Sequence, residues 1–240
     1  MVRREGYIGV GTWITHGEEP VAEEGFELVS EEELKEEICR VMKALYQRGL
    51  VSALGGNVSA RVPGSKEFWI TPSGVFKGAV EPDDLVKLDL EGNVVDGFLR
   101  PSIEWPMHAA IYKVRPDVNA VVHAHNPFTL GLALAGYTLK PISVEAVMVL
   151  RRVEVVPFAF PGTDELAKLI EKYAATGARA LILQNHGIVA MGANLVEAEA
   201  VAETLEEVAI AQYVALSLGK EPPTIPERDV ELYMKLYKIQ

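Results

Sequence analysis

The first regular pattern along the chain is amphipathic. In "SEEELKEEICRVMKALYQRG" the apolar positions Leu34, Ile38, Val41 and Leu45 recur every three or four residues and so share one face of a helix. Ser30 and Glu33 give the capping-box signature at its start, and Gly49 supplies the stop. From Val51 to Leu90 the pattern changes to short β-rich pieces, "FWIT" and "LVKLDL", separated by the turn sequences "TPSG", "EPDD" and "EGN", which predicts a meander of strands. Pro106 fits only the first turn of a helix, and Arg115-Pro116 ends one. The stretch "EWPMHAAIYKV" therefore predicts a helix that begins near Glu104 and leaves this acid at its mouth.

Downstream, "NAVVHAH" reads as a strand, "PFTLGLALAG" as a small-residue helix, and the stretches around "VEAVMVL" and "VEVVPF" as further strands. "TDELAKLIEKYAATG" reads as a capped helix. "RALILQNHGIVAMG" reads as two short strands with His186 and Gly187 at their junction, and a long helix runs from an Asn194 cap to a Gly219 stop. Both element types alternate without a strict βαβ rhythm and without an internal repeat, which predicts an α/β or α+β sandwich around one mixed sheet. Residues 1–29, rich in Gly and Glu and lacking a sustained period, read as an N-terminal arm; residues 30–240 read as the domain.

Composition narrows the function. A length of 240 residues with 49% hydrophobic content suffices for a substantial core. A formal charge of -11 argues against nucleic acid or an acidic membrane as partner, because either needs a concentrated positive field. An anionic ligand must then be held by local donors. No apolar run approaches the roughly 20 residues that span a bilayer, and "MVRREGYIGVGTW" lacks a signal-peptide core, so the expectation is a cytoplasmic protein. The single cysteine, Cys39, falls on the buried face of the first helix and cannot form a disulfide within the chain.

Histidine is where chemistry enters. Alternate residues of a strand face the same side, so His123 and His125 project together at a separation that suits one metal ion. A lone His-x-His is weak evidence; His186, at the end of another apolar strand and beside a glycine that lets backbone come close, strengthens it. Three imidazoles leave an open coordination position, and Glu104 at a helix mouth could occupy or flank it. His108 lies one turn after Glu104 and reads as a hydrogen-bonded group behind the site rather than a ligand, whereas His16 has no identifiable partner. Upstream, "GGNVSARV", "ITPSGV" and "RPSIEW" offer glycine-bracketed amides and small polar side chains, the makings of an anion cradle.

These residues, in the order "GGNVS", "ITPSG", "PSIEW", "RPDVNAVVHAH" and "NHGIVAMG" across about residues 30–218, resemble the class II aldolase/adducin family. The resemblance implies a three-layer α/β/α sandwich with a central, mostly antiparallel sheet, assembled as a cyclic homotetramer with active sites between subunits. It implies Zn2+ on His123, His125 and His186, with Mn2+ or Co2+ as alternative ions, since imidazole ligands accept several first-row metals. The family's acid/base glutamate falls on Glu104, also a metal ligand, and its phosphate cradle on Gly56, Asn57, Ser73, Gly74 and Ser102. The activity implied is reversible cleavage of a ketose 1-phosphate, such as L-fuculose 1-phosphate, to dihydroxyacetone phosphate and an aldehyde through a zinc-stabilised enediolate.

The chain departs from the family's pattern at two places. Ile103 stands where phosphate-binding aldolases commonly carry a second serine. The tyrosine that a neighbouring subunit donates as proton source would fall near Ser143, and no Tyr occurs between 138 and 172. Glu145 is the nearest titratable replacement, with Tyr233 and Tyr237 as further candidates. The first departure keeps a metal-dependent decarboxylase, or an aldolase for an unphosphorylated hydroxy-acid, as the alternative, in which Arg100, Arg151 or Arg152 meets a carboxylate. A sugar-phosphate 4-epimerase, which usually has Asp at position 104, and a non-catalytic adducin-like scaffold, which has lost the metal histidines, fit less well.

Overall fold

The Ser30 hydroxyl accepts from Glu33 N at 3.2 Å and the Glu33 carboxylate accepts from Ser30 N at 2.9 Å, so helix α1 (Glu31–Gln47) starts at the capping box read from the sequence. The computed structural model describes residues 30–236; the segment 1–29 with His16, and Tyr237, lie outside the described residues. After α1 come the meander strands β1 (Asn57–Ala60), β2 (Glu67–Ile70), β3 (Val86–Asp89) and β4 (Val94–Asp96). Then follow α2 (Trp105–Val114), β5 (Ala120–Ala124), α3 (Pro127–Leu134), β6 (Val153–Val156), α4 (Asp164–Ala174), β7 (Ala180–Leu183), β8 (Gly187–Gly192), α5 (Leu195–Ser217) and α6 (Glu227–Leu236).

The strands form one eight-stranded sheet in the order β4-β3-β2-β1-β5-β8-β7-β6, antiparallel everywhere except between β6 and β7. Alternation along each strand sorts side chains into two cores. Val58, Val122 and Ile188 pack with α1 and α5 on one face; Ile70, Val121, Val189 and Met191 pack with α2 and α4 on the other. Both cores are closed by helices, which gives the three-layer α/β/α sandwich. The Cys39 thiol is buried in the α1 core, and burial pushes its pKa up to about 12, so it stays protonated.

One expected strand is a helix turn instead. The stretch "VEAVMVL" forms a π-helical turn at Ala146–Leu150, opened by Ser143 Oγ accepting from Ala146 N at 3.1 Å. Ala146 and Leu150 turn into the α5 core, and β6 takes the sheet edge beside β7. A short apolar run carries no period that separates a strand from a helical turn; which one forms depends on the neighbour that buries it.

The centre of the sheet carries a polar end. Asn57, Ser59 and His123 lie on the α2 side of β1 and β5, where register pairs Asn57 with His123 and Ser59 with Val121. The chain leaving β5 is fastened by Asn126, whose amide donates to Ala202 O at 2.7 Å, and by Glu206 of α5. The Glu206 carboxylate accepts from Phe128 N at 2.8 Å and Thr129 N at 3.0 Å, satisfying the amides at the start of α3. His125, one residue beyond β5, is thereby held from both sides, and its own amide donates to Leu50 O at 2.7 Å.

Candidate metal centre

Three elements deliver the three histidines. His123 projects from β5, His125 from the residue after it, and His186 from the tight turn between β7 and β8. Asn185, immediately before His186, has φ of +58°, a left-handed conformation that asparagine tolerates better than most residues, and His186 N donates to Leu183 O at 3.1 Å. Gly187 makes the crowding possible. A Cβ there would stand 2.4 Å from Ala124 O and 2.8 Å from the His125 ring.

The ring centroids of His123 lie 4.9 Å from His125 and 4.7 Å from His186, and those of His125 and His186 are 5.8 Å apart. One nitrogen of each ring lies within 4.8 Å of the others. His123 Nδ1 contacts Ile188 O at 2.9 Å; a carbonyl only accepts, so this nitrogen carries the proton and the Nε2 lone pair faces the other two rings. Burial lowers the His123 pKa to about 4, against the opposing charge of Glu104, and burial also lowers that of His125. Three ring nitrogens within reach of one another, one of them with its tautomer fixed from behind, are a donor set that fits a divalent ion.

Glu104, the residue before α2, completes the cluster. Its Oε2 lies 3.3 Å from His123 Nε2 and its Oε1 3.1 Å from His186 Nε2. Burial opposes ionisation of this carboxyl, but the His123 and His186 imidazoles and the Asn57 amide together hold its pKa below the usual carboxylate range. Asn57 Nδ2 donates to Glu104 Oε2 at 2.7 Å. With the Asn57 amide so oriented, its Oδ1 accepts from His108 Nε2 at 2.5 Å, His108 Nδ1 accepts from Ser59 Oγ at 2.7 Å, and Ser59 Oγ accepts from the Tyr112 hydroxyl at 2.8 Å. His108 is completely buried, and burial lowers its pKa to about 3, so it is neutral and can serve as this link. It lies behind the site, as the sequence predicts; the Ser59 and Tyr112 members carried no readable signal.

Gly56, Asn57, Ser73, Gly74 and Ser102 line one cavity of about 370 Å³ together with Glu104, His125 and His186. An isolated bridge between Pro72 and Pro101 joins two of the motifs. Ser73 is largely committed to that junction: its N–H donates to Arg100 O at 2.9 Å and its hydroxyl to Pro101 O at 3.0 Å. Ser102 Oγ accepts from Glu104 N at 3.3 Å and keeps its proton to donate. Lys77 also lines the cavity and was absent from the sequence-based set.

Two expected participants sit elsewhere in this chain. Glu145 is exposed at the start of the π-helical turn and lines a different surface recess with Thr204 and Glu207. Tyr233, on α6, donates to Met148 Sδ at 2.9 Å. Ile103 is 53% exposed at the cavity wall and brings no donor to it.

The family model described as Class II Aldolase and Adducin N-terminal domain matches residues 36–213, which contain all eight strands of the sheet and most of α1 and α5. The chain belongs to the class II aldolase and adducin family. A 5-deoxy-D-ribulose 1-phosphate aldolase from Bacillus thuringiensis is 34% identical over 204 residues, covering 85% of this chain and 95% of the relative. An L-fuculose phosphate aldolase from Methanococcus maripaludis is 35% identical over 182 residues, covering 76% and 97%. The solved structure of an L-fuculose 1-phosphate aldolase superposes with a TM-score of 0.79 at 34% identity, covering 90% of this chain and all of that one. Family membership together with the intact three-histidine cluster makes this chain a metal-dependent lyase of the class II aldolase type. Among the described residues no helix is long and apolar enough to cross a membrane.

Proposed function

We propose that the protein reversibly cleaves a ketose 1-phosphate of the L-fuculose 1-phosphate class to dihydroxyacetone phosphate and an aldehyde, using Zn2+ on His123, His125 and His186. The observation that carries this reading is the Glu104 carboxylate, 3.3 Å from His123 Nε2 and 3.1 Å from His186 Nε2 and open to a cavity lined by small donors. A divalent ion held by these histidines supplies Lewis-acid polarisation of the substrate carbonyl, so that carbon–carbon cleavage leaves its negative charge in a stabilised place.

The chain's own residues do the rest. Glu104 would help hold the ion beside the three histidines, and its carboxylate acts as the base and acid that holds and returns the proton at the carbon next to the carbonyl. Asn57 keeps that carboxylate oriented, and it is held in turn by His108. Gly56, Asn57, Ser73, Gly74 and Ser102 form the phosphate side of the cavity. The assembly is a cyclic homotetramer in which Glu145 of an adjoining copy takes the proton from the hydroxyl that becomes the aldehyde oxygen on cleavage and returns it in the condensation direction; the exposure of Glu145, outside its own chain's cavity, is consistent with service to another copy. The location is cytoplasmic.

The test is steady-state cleavage by Glu104→Gln with metal content measured in parallel. Full metal with turnover lowered at least 100-fold is expected, since positioned acid–base groups contribute about 100-fold or more. Full metal with retained turnover removes Glu104 from the proton transfer. Assaying dihydroxyacetone phosphate and carbon dioxide release side by side separates aldol cleavage from decarboxylation.

A further inference from the structure

Lys77 is an ammonium with no evident structural need for its charge. It is 2% exposed, yet it lines the cavity that holds Glu104, His125 and His186. Both ends of the residue are anchored: its N–H donates to Ala53 O at 2.9 Å in the loop before β1, and Nζ donates to Pro72 O at 2.7 Å in the turn that carries Ser73 and Gly74. An ammonium has three donors. Among the described residues one is used, and no carboxylate stands within ion-pair distance of Nζ. A buried cation without a counter-charge is unfavourable, which is why burial lowers the Lys77 pKa to about 8, against the influence of Glu104.

Several of the donors around it are already spent, and the Ser102 hydroxyl is one that keeps its proton. The Ser73 N–H and hydroxyl donate to Arg100 O and Pro101 O, the Asn57 amide donates to Glu104, and Ile103 contributes none. A phosphate dianion entering this cavity in a chain of net charge -11 would meet the Glu104 carboxylate with few free N–H or O–H groups to offset it. A fixed ammonium behind the Ser73–Gly74 turn provides that offset and two unused donors.

We propose that Lys77 is a specificity-determining residue that binds the phosphate group of the substrate, completing a cradle whose neutral donors are largely committed within the protein. This rests on the phosphorylated-substrate reading given above. A purely structural lysine, serving only to tie Pro72 O, would treat charged and uncharged ligands alike.

The experiment is calorimetric titration of inorganic phosphate and dihydroxyacetone phosphate into the wild-type protein, Lys77→Met and Lys77→Gln, with unphosphorylated dihydroxyacetone as control and thermal melts alongside. Phosphate and dihydroxyacetone phosphate affinities are expected to fall at least tenfold in both variants while the control changes less than threefold. Lys77→Gln retains a donor for Pro72 O, so it carries the test should Lys77→Met fail to fold. Wild-type phosphate affinity in either folded variant, or an equal loss for charged and uncharged ligands, overturns the role of Lys77 and leaves the phosphorylated-substrate reading standing. Absence of phosphate and dihydroxyacetone phosphate binding to the wild type overturns both.

Discussion

Asn57 donates its amide to Glu104 at 2.7 Å from the strand that pairs with His123, so the carboxylate at the mouth of α2 is oriented by the sheet and not by its own helix. Asn57 is 2% exposed, so this bond is shielded from solvent on the Asn57 side. Asn57→Ala removes the amide donor to Glu104 Oε2 and the amide acceptor for His108 Nε2. We expect a loss of about 1–3 kcal/mol in stability, the cost of stranding buried polar groups. We also expect kcat to fall at least tenfold with bound metal unchanged. Urea denaturation and steady-state kinetics on metal-quantified samples check both, and a variant with wild-type kcat would show that Glu104 needs no such support.

His108 acts on the site only through Asn57. His108→Phe fills a similar volume but takes away both the donor to Asn57 Oδ1 and the acceptor for Ser59 Oγ. Destabilisation of about 2 kcal/mol is expected, with three-histidine metal binding intact. His108→Gln, able to restore one hydrogen bond, should recover part of it. Metal loss in His108→Phe would instead make His108 part of the metal centre itself.

Gly187 lets β8 lie close against His125. A methyl group at this position would meet Ala124 O at 2.4 Å and the His125 ring at 2.8 Å, and the first of these is backbone, which cannot swing aside. Gly187→Ala is therefore expected to push the β5–β8 pair apart and lower metal affinity at least tenfold, read by competition with a chelating dye. Unchanged affinity with an unchanged melting temperature would mean the sheet absorbs the methyl elsewhere.

Acid should destabilise the metal-free protein in a defined window. His108 and His123 are held neutral by burial, with pKa values lowered to about 3 and about 4, whereas in the unfolded chain a histidine titrates near about 6.5. Between these values the unfolded state binds protons that the native state refuses, so the stability present above about pH 6.5 falls as the pH is lowered towards 4. The slope is about 1.4 kcal/mol per pH unit for each such histidine. Urea midpoints at pH 7, 6, 5 and 4 measure it, and a flat profile from 7 to 5 would contradict the burial of these rings.

Much of this was legible in the chain because it is local. The capping box at Ser30, the Asn194 cap of α5, the Pro106 start of α2 and the His186-Gly187 turn each depend on residues within a few positions of one another, and each stands where sequence rules put it. The identity of the metal-type residues was also readable, because His123, His125 and His186 end apolar strands where no packing role calls for an imidazole.

Tertiary structure decided what depends on neighbours distant in sequence. "VEAVMVL" is a π-helical turn because α5 offers it a core to bury in while β6 occupies the sheet edge. Ser59 and Tyr112 join the support of Glu104 only because β1 passes beneath α2, and the Lys77 ammonium reaches the cavity only because a short turn folds back on Pro72. Sequence spacing fixes which side chains share a face, but the free energy of a buried polar group is set by the partners that packing brings to it, and for Ser59, His108 and Tyr112 those partners lie tens of residues away.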